Sequence, residues 1–189
     1  MDRSRIFAHI KESLQGDGPT DMVLSGGDAL IDRDFVGRLI EVLVHDAGDH
    51  FEILQERHLA ELGLTEDEAF ALGERNLEGL VDAGTVMVYR HGDGFAIVAG
   101  GNHEASLLLV PSLCSRLADQ VGTPFLLAAA PARDLLMVAS AESAAGAAEL
   151  HRLLDRVRYV EIDHPLPGDL YRWDGLRWHL VGTATIGQG

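Results

Sequence analysis

Apolar residues in the first third of the chain recur every three or four positions, which is the spacing of an amphipathic helix. On this basis we predict helices over residues 5–14, 35–47 and 51–62, each followed closely by a glycine. Glycine is common just past the C-terminus of a helix. Together with a short strand at 22–24, these segments predict a helical N-terminal region spanning residues 1–62.

The next helix has a clear sequence signature at its start. Thr65 and Glu68 have the spacing of a capping box, in which the two residues satisfy free amide groups of the first helical turn. The apolar spacing continues to about Asp82, and Gly84 ends the pattern. We therefore predict a helix from Thr65 to Asp82.

Beyond Gly84 the pattern changes to the alternation of apolar and polar residues that is typical of strands. We predict strands over residues 85–90, 95–99, 104–110, 125–130 and 135–139, and helices over residues 111–120 and 142–158. From Thr65 to Arg158 the order of elements is therefore α-β-β-β-α-β-β-α. This order predicts an α+β fold, with a mostly antiparallel five-stranded sheet and helices packed on it.

The C-terminal part of the chain, residues 165–184, has the pattern of an aromatic β-hairpin. If residues 174–175 form a two-residue Asp-Gly turn, Tyr171 faces Trp178 on the neighbouring strand. Strand alternation then places Tyr171, Trp173 and Trp178 on one face. This face either closes one end of the core or forms a platform for a partner or a sugar, since Trp and Tyr are common at interfaces.

We expect a single domain, because 189 residues are close to the usual size of one. Within it we distinguish an acidic helical region (1–62), an α+β core (63–160) and the aromatic hairpin (165–184). Cys114 is the only cysteine of the sequence, which excludes an intramolecular disulfide and a cysteine-based zinc cluster.

The chain carries 30 acidic and 15 basic side chains, a net charge of −15. Such a charge repels a phosphate backbone and an anionic lipid surface, so we expect neither nucleic acid nor membrane as a partner. The charge is uneven, since residues 1–84 hold −12 and residues 85–189 hold −3. The acidic half either consists of solvated helix faces or forms a surface that recruits a basic partner.

The sequence also bears on location. The first seven residues lack the apolar region of a secretory signal peptide. The longest apolar runs, such as 125–132, are shorter than the roughly 20 residues that cross a membrane. We therefore expect a cytoplasmic protein.

Three short motifs within residues 60–140 resemble a known family. They are AFALGERNL at 69–77, GNHEASLLL at 101–109 and PARDLLMV at 131–138. Their order and spacing are similar to those of the YtpQ-like family of bacterial proteins, whose function is unknown. The resemblance implies a bacterial intracellular protein and transfers no activity. The order of elements is also similar to that of small acidic type III secretion chaperones, which dimerise and bind extended segments of a partner.

The polar residues inside these motifs form the first candidate site: Asn76, Glu104, Ser106, Arg133 and Asp134. Asn76 lies in a helical row between two leucines, so we expect it to be at least half-buried and hydrogen-bonded to a strand or turn backbone. The cluster is either a network that fixes helix to sheet or a site for a polar ligand. A hydrolase built on Ser106 is a third hypothesis, although the glycine-flanked turn of such nucleophiles is missing.

Histidines and aspartates around residues 45–50 form a second candidate site. His45, Asp49 and His50 supply the nitrogen and oxygen ligands that divalent cations prefer, but their spacing matches no established metal motif. An exposed helix end, stopped by Asp and Gly, explains these residues as well. The glycines near residues 92–101 are accounted for by turns rather than by phosphate binding, so we expect no metal and no cofactor.

These observations predict a non-enzymatic, chaperone-like module that binds a basic or flexible segment of another protein. The acidic half attracts the partner, and an apolar groove beside the sheet holds it. A homodimer is expected, because a five-stranded sheet leaves edges that need cover. The competing hypothesis is a small-molecule-binding enzyme of hydrolase type, with Asn76, Glu104, Ser106 and Arg133 at its centre.

Overall fold

The computed structural model describes residues 1–13 and 27–183. The chain divides into two compact units, Met1–Gly79 and Leu80–Gly189. The described residues form four α-helices and two antiparallel sheets, one of four strands and one of six. The α+β fold class is therefore confirmed, while two sheets stand in place of the single five-stranded sheet. Within the described residues, no helix has both the length and the apolar character needed to span a bilayer.

The first unit is a four-stranded sheet followed by two helices. Its elements are β1 (Ile6–Glu12), β2 (Asp32–Val36), β3 (Leu39–Asp46), β4 (Phe51–Ile53), α1 (Glu56–Leu62) and α2 (Glu66–Asp82), whose last three residues belong to the second unit. The central strand is β3. Strand β1 pairs with it antiparallel along one side, and β2 and β4 pair with successive parts of its other side.

Two segments predicted as helices are strands. The described part of 5–14 is β1, and 35–47 is the β2–β3 hairpin, so both helix predictions are wrong. The pattern misleads because residues four apart, such as Ile6 and Ile10, share one face of a strand as well as one face of a helix. Gly37, with a φ of 61°, lies in the tight turn between β2 and β3.

The rest of the N-terminal region also differs from the prediction. The helix predicted at 51–62 is correct only in its second half, since β4 precedes α1. The strand predicted at 22–24 lies outside the described residues. The described part of residues 1–62 is therefore mainly β-sheet rather than helix.

The helix predicted from Thr65 to Asp82 is confirmed as α2. The Thr65 amide donates to the Glu68 carboxylate at 2.8 Å, and the Glu68 amide donates to the Thr65 hydroxyl at 3.3 Å, as a capping box requires. The helix lies close to the sheet at Gly73, where an added Cβ atom would be 2.7 Å from the Ala8 amide nitrogen. Glycine at this position therefore lets α2 contact the backbone of β1.

The second unit is built on a six-stranded sheet. Its elements are β5 (Met87–His91), β6 (Gly94–Val98), α3 (Pro111–Val121), β7 (Leu126–Ala132), β8 (Leu135–Ser140), α4 (Ala144–Val157), β9 (Asp169–Trp173) and β10 (Trp178–Thr183). The strand order is β10-β9-β7-β8-β6-β5, and every neighbouring pair is antiparallel.

Four of the five strands predicted between residues 85 and 139 are present, and so are both helices predicted in the same half. The segment predicted as a strand at 104–110 is instead a 3-10 turn over Ala105–Leu109. Residues 105–108 are all buried, so the run has no alternation that distinguishes a strand from a helix. The sheet gains two other strands, because the C-terminal hairpin places β9 beside β7 and β10 beside β9.

Helix α4 packs on this sheet through a close backbone approach. At Gly146, an added Cβ atom would lie 2.9 Å from the Ala139 Cβ atom of β8. The core cluster that the helix shares with the strands comprises Leu127, Ala129, Met137, Ala139, Leu150, Leu154 and Leu170. Complete burial of a leucine such as Leu150 stabilises the fold by roughly 1.5–3 kcal/mol.

The hairpin prediction is correct in its strands and wrong in its register. Trp178 pairs with Trp173, so the turn contains the four residues 174–177 rather than two. The Asp174 carboxylate explains the longer turn, because it accepts hydrogen bonds from two amides of the turn, at 2.9 Å each. The register differs by an even number of residues, so Tyr171 still shares a face with both tryptophans.

Candidate functional site

The polar cluster predicted from the three motifs is distributed over both units. Asn76 lies in α2, in the first unit, and its side-chain amide donates to the backbone carbonyls of Arg3 at 2.9 Å and Ile6 at 2.6 Å. The side chain is half-buried, and its partners are backbone groups, as its place in the helical row indicated. Asn76 therefore ties α2 to the start of β1.

Glu104, in the second unit, is hydrogen-bonded to backbone amides of its own loop. Its side chain is 2% exposed. The carboxylate accepts amide hydrogen bonds from Ala99 at 2.8 Å, Gly101 at 2.7 Å and His103 at 3.1 Å. A carboxylate that accepts three amides has little capacity left for a ligand. Glu104 thus fixes the connection between β6 and the 3-10 turn.

Arg133 and Asp134 form the two-residue turn between β7 and β8. The Arg133 carbonyl accepts the Ala105 amide at 3.0 Å, and the Arg133 amide donates to the His164 carbonyl at 3.1 Å. Asp134 is exposed at the turn, whereas Ser106 is completely buried. The hydroxyl of Ser106 is therefore not presented to a substrate from solvent, and the backbone contacts join this turn to the 3-10 turn.

The histidines and aspartates around 45–50 lie on the β3–β4 hairpin, not at a helix end. His45 Nδ1 is 3.4 Å from the Glu52 carboxylate, and His50 Nδ1 is 2.7 Å from the Asp49 carboxylate. The hydrogen bond between His50 and Asp49 raises the pKa of the histidine and lowers that of the aspartate. Among the described residues, no three histidine, cysteine or acidic side chains are grouped so that they could hold a metal ion.

The three aromatic residues considered as a partner anchor lie in the core of the second unit. Tyr171, Trp173 and Trp178 are 0%, 4% and 6% exposed. The Trp178 indole nitrogen donates to the Leu108 carbonyl at 2.9 Å, and the centres of the two indole rings are 5.5 Å apart. These side chains close part of the core, and only small parts of Trp173 and Trp178 reach the surface.

The first unit contains a buried carboxylate that the sequence pattern did not indicate. Glu41 of β3 is 2% exposed and accepts a hydrogen bond from Arg33 Nε of β2 at 2.5 Å. Arg33 also pairs with Glu74 of α2, and its guanidinium carbon lies 4.3 Å from the centre of the Phe70 ring. Burial raises the pKa of Glu41 to about 7, against the opposing effect of Arg33. Arg33 thus connects β2, β3 and α2.

A groove of about 360 Å³ runs along α2 in the first unit. It combines apolar side chains with two carboxylates and two guanidinium groups. Its lining residues are Arg3, Leu64, Asp67, Glu68, Ala71, Leu72 and Arg75. Those of α2 recur at intervals of three and four residues, so they belong to one face of the helix. This groove lies beside the row that contains Asn76.

The surroundings of this groove are acidic. The first unit holds 18 acidic and 7 basic side chains, a net charge of −11 out of −15 for the chain. Glu56 and Glu61 of α1 and Glu66 at the start of α2 are exposed. The unit therefore combines a negative exterior with a partly apolar groove.

Known proteins give no guide to the function of this chain, so its function is inferred from the geometry of the grooves and clusters described above. No family model, no curated protein and no solved structure matches this chain. The resemblance to the YtpQ-like family therefore stays a prediction.

Proposed function

We propose that this chain is a bacterial cytoplasmic, non-enzymatic module of chaperone-like type that binds a basic or flexible segment of another protein. The binding surface is the groove along α2 together with the acidic side chains around it. The observation that carries the proposal is a partly apolar groove in a unit of net charge −11. Such a charge steers a basic partner towards the unit, and the apolar part of the groove holds it.

The apolar lining supports the holding role. Leu64, Ala71 and Leu72 are half-buried, so each keeps some apolar surface in contact with water. A partner leucine that is buried against them gains roughly 1.5–3 kcal/mol. A volume of about 360 Å³ accommodates a few side chains. The partner therefore binds as a short extended segment rather than as a folded domain.

Arg3 and Arg75 lie in the lining beside its two carboxylates, so the groove is not uniformly negative. Arg3 donates a hydrogen bond to the Leu62 carbonyl, which keeps its side chain along the groove. Hydrogen bonds from Thr65, with a smaller contribution from Arg3, lower the pKa of Glu68. Glu68 is therefore ionised at neutral pH, and Arg3 offsets part of its charge. The groove favours a segment that mixes basic and apolar residues over a uniformly basic one.

Labelled peptides of equal length test the proposal. One alternates leucine and lysine, a second alternates leucine and glutamate, and a third alternates serine and lysine. We expect the leucine–lysine peptide to bind most tightly and to lose affinity as salt screens the charges. Asp67→Asn combined with Leu72→Gln should weaken this binding roughly tenfold, because one charge and one apolar contact are removed.

Asp82→Asn is the matched control, because Asp82 lies at the other end of α2 and outside the groove. This variant should bind the peptides as the wild type does. Equal binding of the leucine–glutamate peptide contradicts the proposal, and so does an unchanged affinity of the Asp67/Leu72 variant. Circular dichroism of each variant separates a loss of binding from a loss of folding.

We also propose that the chain forms a homodimer. Strands β5 and β10 are the edges of the six-stranded sheet, and Met87 and Tyr89 on β5 are 47% and 51% exposed. A sheet edge that exposes apolar side chains favours pairing with another chain. Light scattering coupled to size-exclusion chromatography measures the mass in solution. A monomer at high micromolar concentration contradicts this part of the proposal.

A further inference from the structure

A second groove lies within the second unit, at the C-terminal end of α3. Its volume of about 440 Å³ is within the range of small-molecule sites. The residues of its lining that matter here are Ser115, Asp119, Thr123, Pro124, Trp173 and Gly175. The groove along α2 and the polar cluster of the three motifs include none of these residues.

Asp119 occupies an electrostatically unfavourable position. It lies in the last turn of α3, at the negative end of the helix dipole, and that turn contains no basic residue. Within the part of the chain that the structure describes, its carboxylate has no ion pair and no hydrogen bond. The carboxylate therefore makes the groove negative. A residue that conflicts with the local rule in this way is typical of functional sites.

The rest of the lining fits the body of an organic cation. Pro124 provides an apolar wall, to which the 4% exposed Trp173 adds a small part, and Ser115 and Thr123 provide hydroxyl oxygens that accept hydrogen bonds. The Thr123 hydroxyl already accepts the Phe125 amide at 3.3 Å, which fixes its orientation. Among the described residues that line the groove, none is lysine, arginine or histidine. An anionic ligand would therefore lack a cationic partner here.

We infer that this groove binds a small organic ammonium compound. The ammonium group donates hydrogen bonds to the Asp119 carboxylate and the Ser115 hydroxyl, and the hydrocarbon body lies against Pro124 and Trp173. A calcium ion is a poorer fit, because one carboxylate and two hydroxyl groups supply too few of the about six to eight oxygen ligands that it takes.

Benzylammonium is the probe, and benzyl alcohol is a neutral compound of nearly the same shape. Isothermal titration calorimetry measures the affinities, and amide chemical shifts in NMR spectra locate the site. We expect saturable binding of benzylammonium in the millimolar range or tighter, with shift changes at residues 115–124 and 173–175. Replacing the probe by benzyl alcohol, or Asp119 by Asn, should each weaken binding roughly tenfold.

Asp134→Asn is the control, since it removes an exposed carboxylate elsewhere in the same unit and should leave the affinity unchanged. Three results would each overturn the inference. They are equal affinity of the Asp119→Asn variant, equal binding of benzyl alcohol, and the absence of saturation at millimolar amine. Asp119 is exposed, so its substitution should preserve the fold, and circular dichroism checks this.

Discussion

The carboxylate of Glu41 lies inside the first unit, in contact with Arg33 and largely out of water. Desolvation raises its pKa from 4.5 to about 7, although Arg33 attracts the charged form. Between these two values the folded chain keeps a proton on Glu41 that the unfolded chain has released. The folded state binds more protons there, so the free energy of unfolding falls as pH rises.

We predict that Glu41 lowers the free energy of unfolding by about 3 kcal/mol as pH rises from 4.5 to 7. The Glu41→Gln variant has no proton to release and should not show this loss. Urea unfolding of both proteins across this pH range measures their free energies of unfolding. The free energy of the variant should rise relative to that of the wild type as pH rises. Parallel curves for the two proteins would contradict the prediction.

Asn76 and Glu41 show which single residues the sequence makes predictable. Asn76 lies between leucines in one helical row, so the pattern of a single element indicated its half-buried state and its backbone partners. Glu41 meets Arg33 because β2 and β3 pair in one register. The helix predicted over 35–47 contains Glu41 but not Arg33, so it does not bring the two side chains together. The buried pair can be recognised only when the β2–β3 hairpin is known.

At the scale of elements, a segment was predictable where its residues fit one periodicity. Helix α2 carries a capping box, and α3 begins with a proline that suits the first turn of a helix. Strand β1 lacks such a marker, since its apolar residues four apart fit both a helix and a strand. The turn at Ala105–Leu109 is buried almost throughout, so its pattern has no period.

The contact between α2 and the sheet depends on Gly73. A Cβ atom there would lie 2.7 Å from the Ala8 amide nitrogen and 2.9 Å from Leu43 Cδ2, so the backbone of the helix or of β1 must move. We predict that Gly73→Ala lowers the free energy of unfolding by about 1–3 kcal/mol. Urea unfolding measures the change.

Gly79 is the matched control in the same helix. Apart from the backbone of its own helix and its chain neighbours, no heavy atom of the described residues lies within 4 Å of the Cβ position at Gly79. Gly79→Ala should therefore raise the free energy of unfolding by about 0.5–1 kcal/mol through helix propensity alone. If Gly73→Ala stabilises the chain to the same extent, the close approach of α2 to β1 is not tight.

At the scale of the whole molecule, like charges oppose the folded state. The chain carries −15, and −11 of this charge belongs to the first unit. We predict that Tm at pH 7 rises by a few degrees between low salt and about 0.5 M sodium chloride, because the ions screen the repulsion. Scanning calorimetry measures the shift.

The same measurement near the isoelectric point provides a control. The sequence pI is ≈ 4.8, where the net charge vanishes, so the added salt should change Tm less than it does at pH 7. A Tm that is independent of salt at pH 7 would show that charge repulsion does not limit stability.

The arrangement of the whole chain was predictable only in part. The uneven distribution of charge could be predicted by counting acidic and basic residues along the sequence, and most of the negative charge belongs to the first unit. The division into two sheets is different, because it depends on which distant strands pair. Strand β9 pairs with β7, although β8 and α4 lie between the two strands in the sequence, and no local pattern in either strand specifies that contact. Helix α2 also runs without a break through the division at Gly79, so no linker marks it.

The pairing of β3 on both sides has a consequence for hydrogen exchange. Strand β1 covers one side of β3, while β2 and β4 divide the other side between them. Either of the two short strands can separate while the rest of the sheet persists, so their amides should exchange through local opening. Amides of β3 that bond to β1 are released only when the sheet itself comes apart. Strand β3, which belongs to a segment predicted as a helix, should therefore be the part of this sheet that exchanges last.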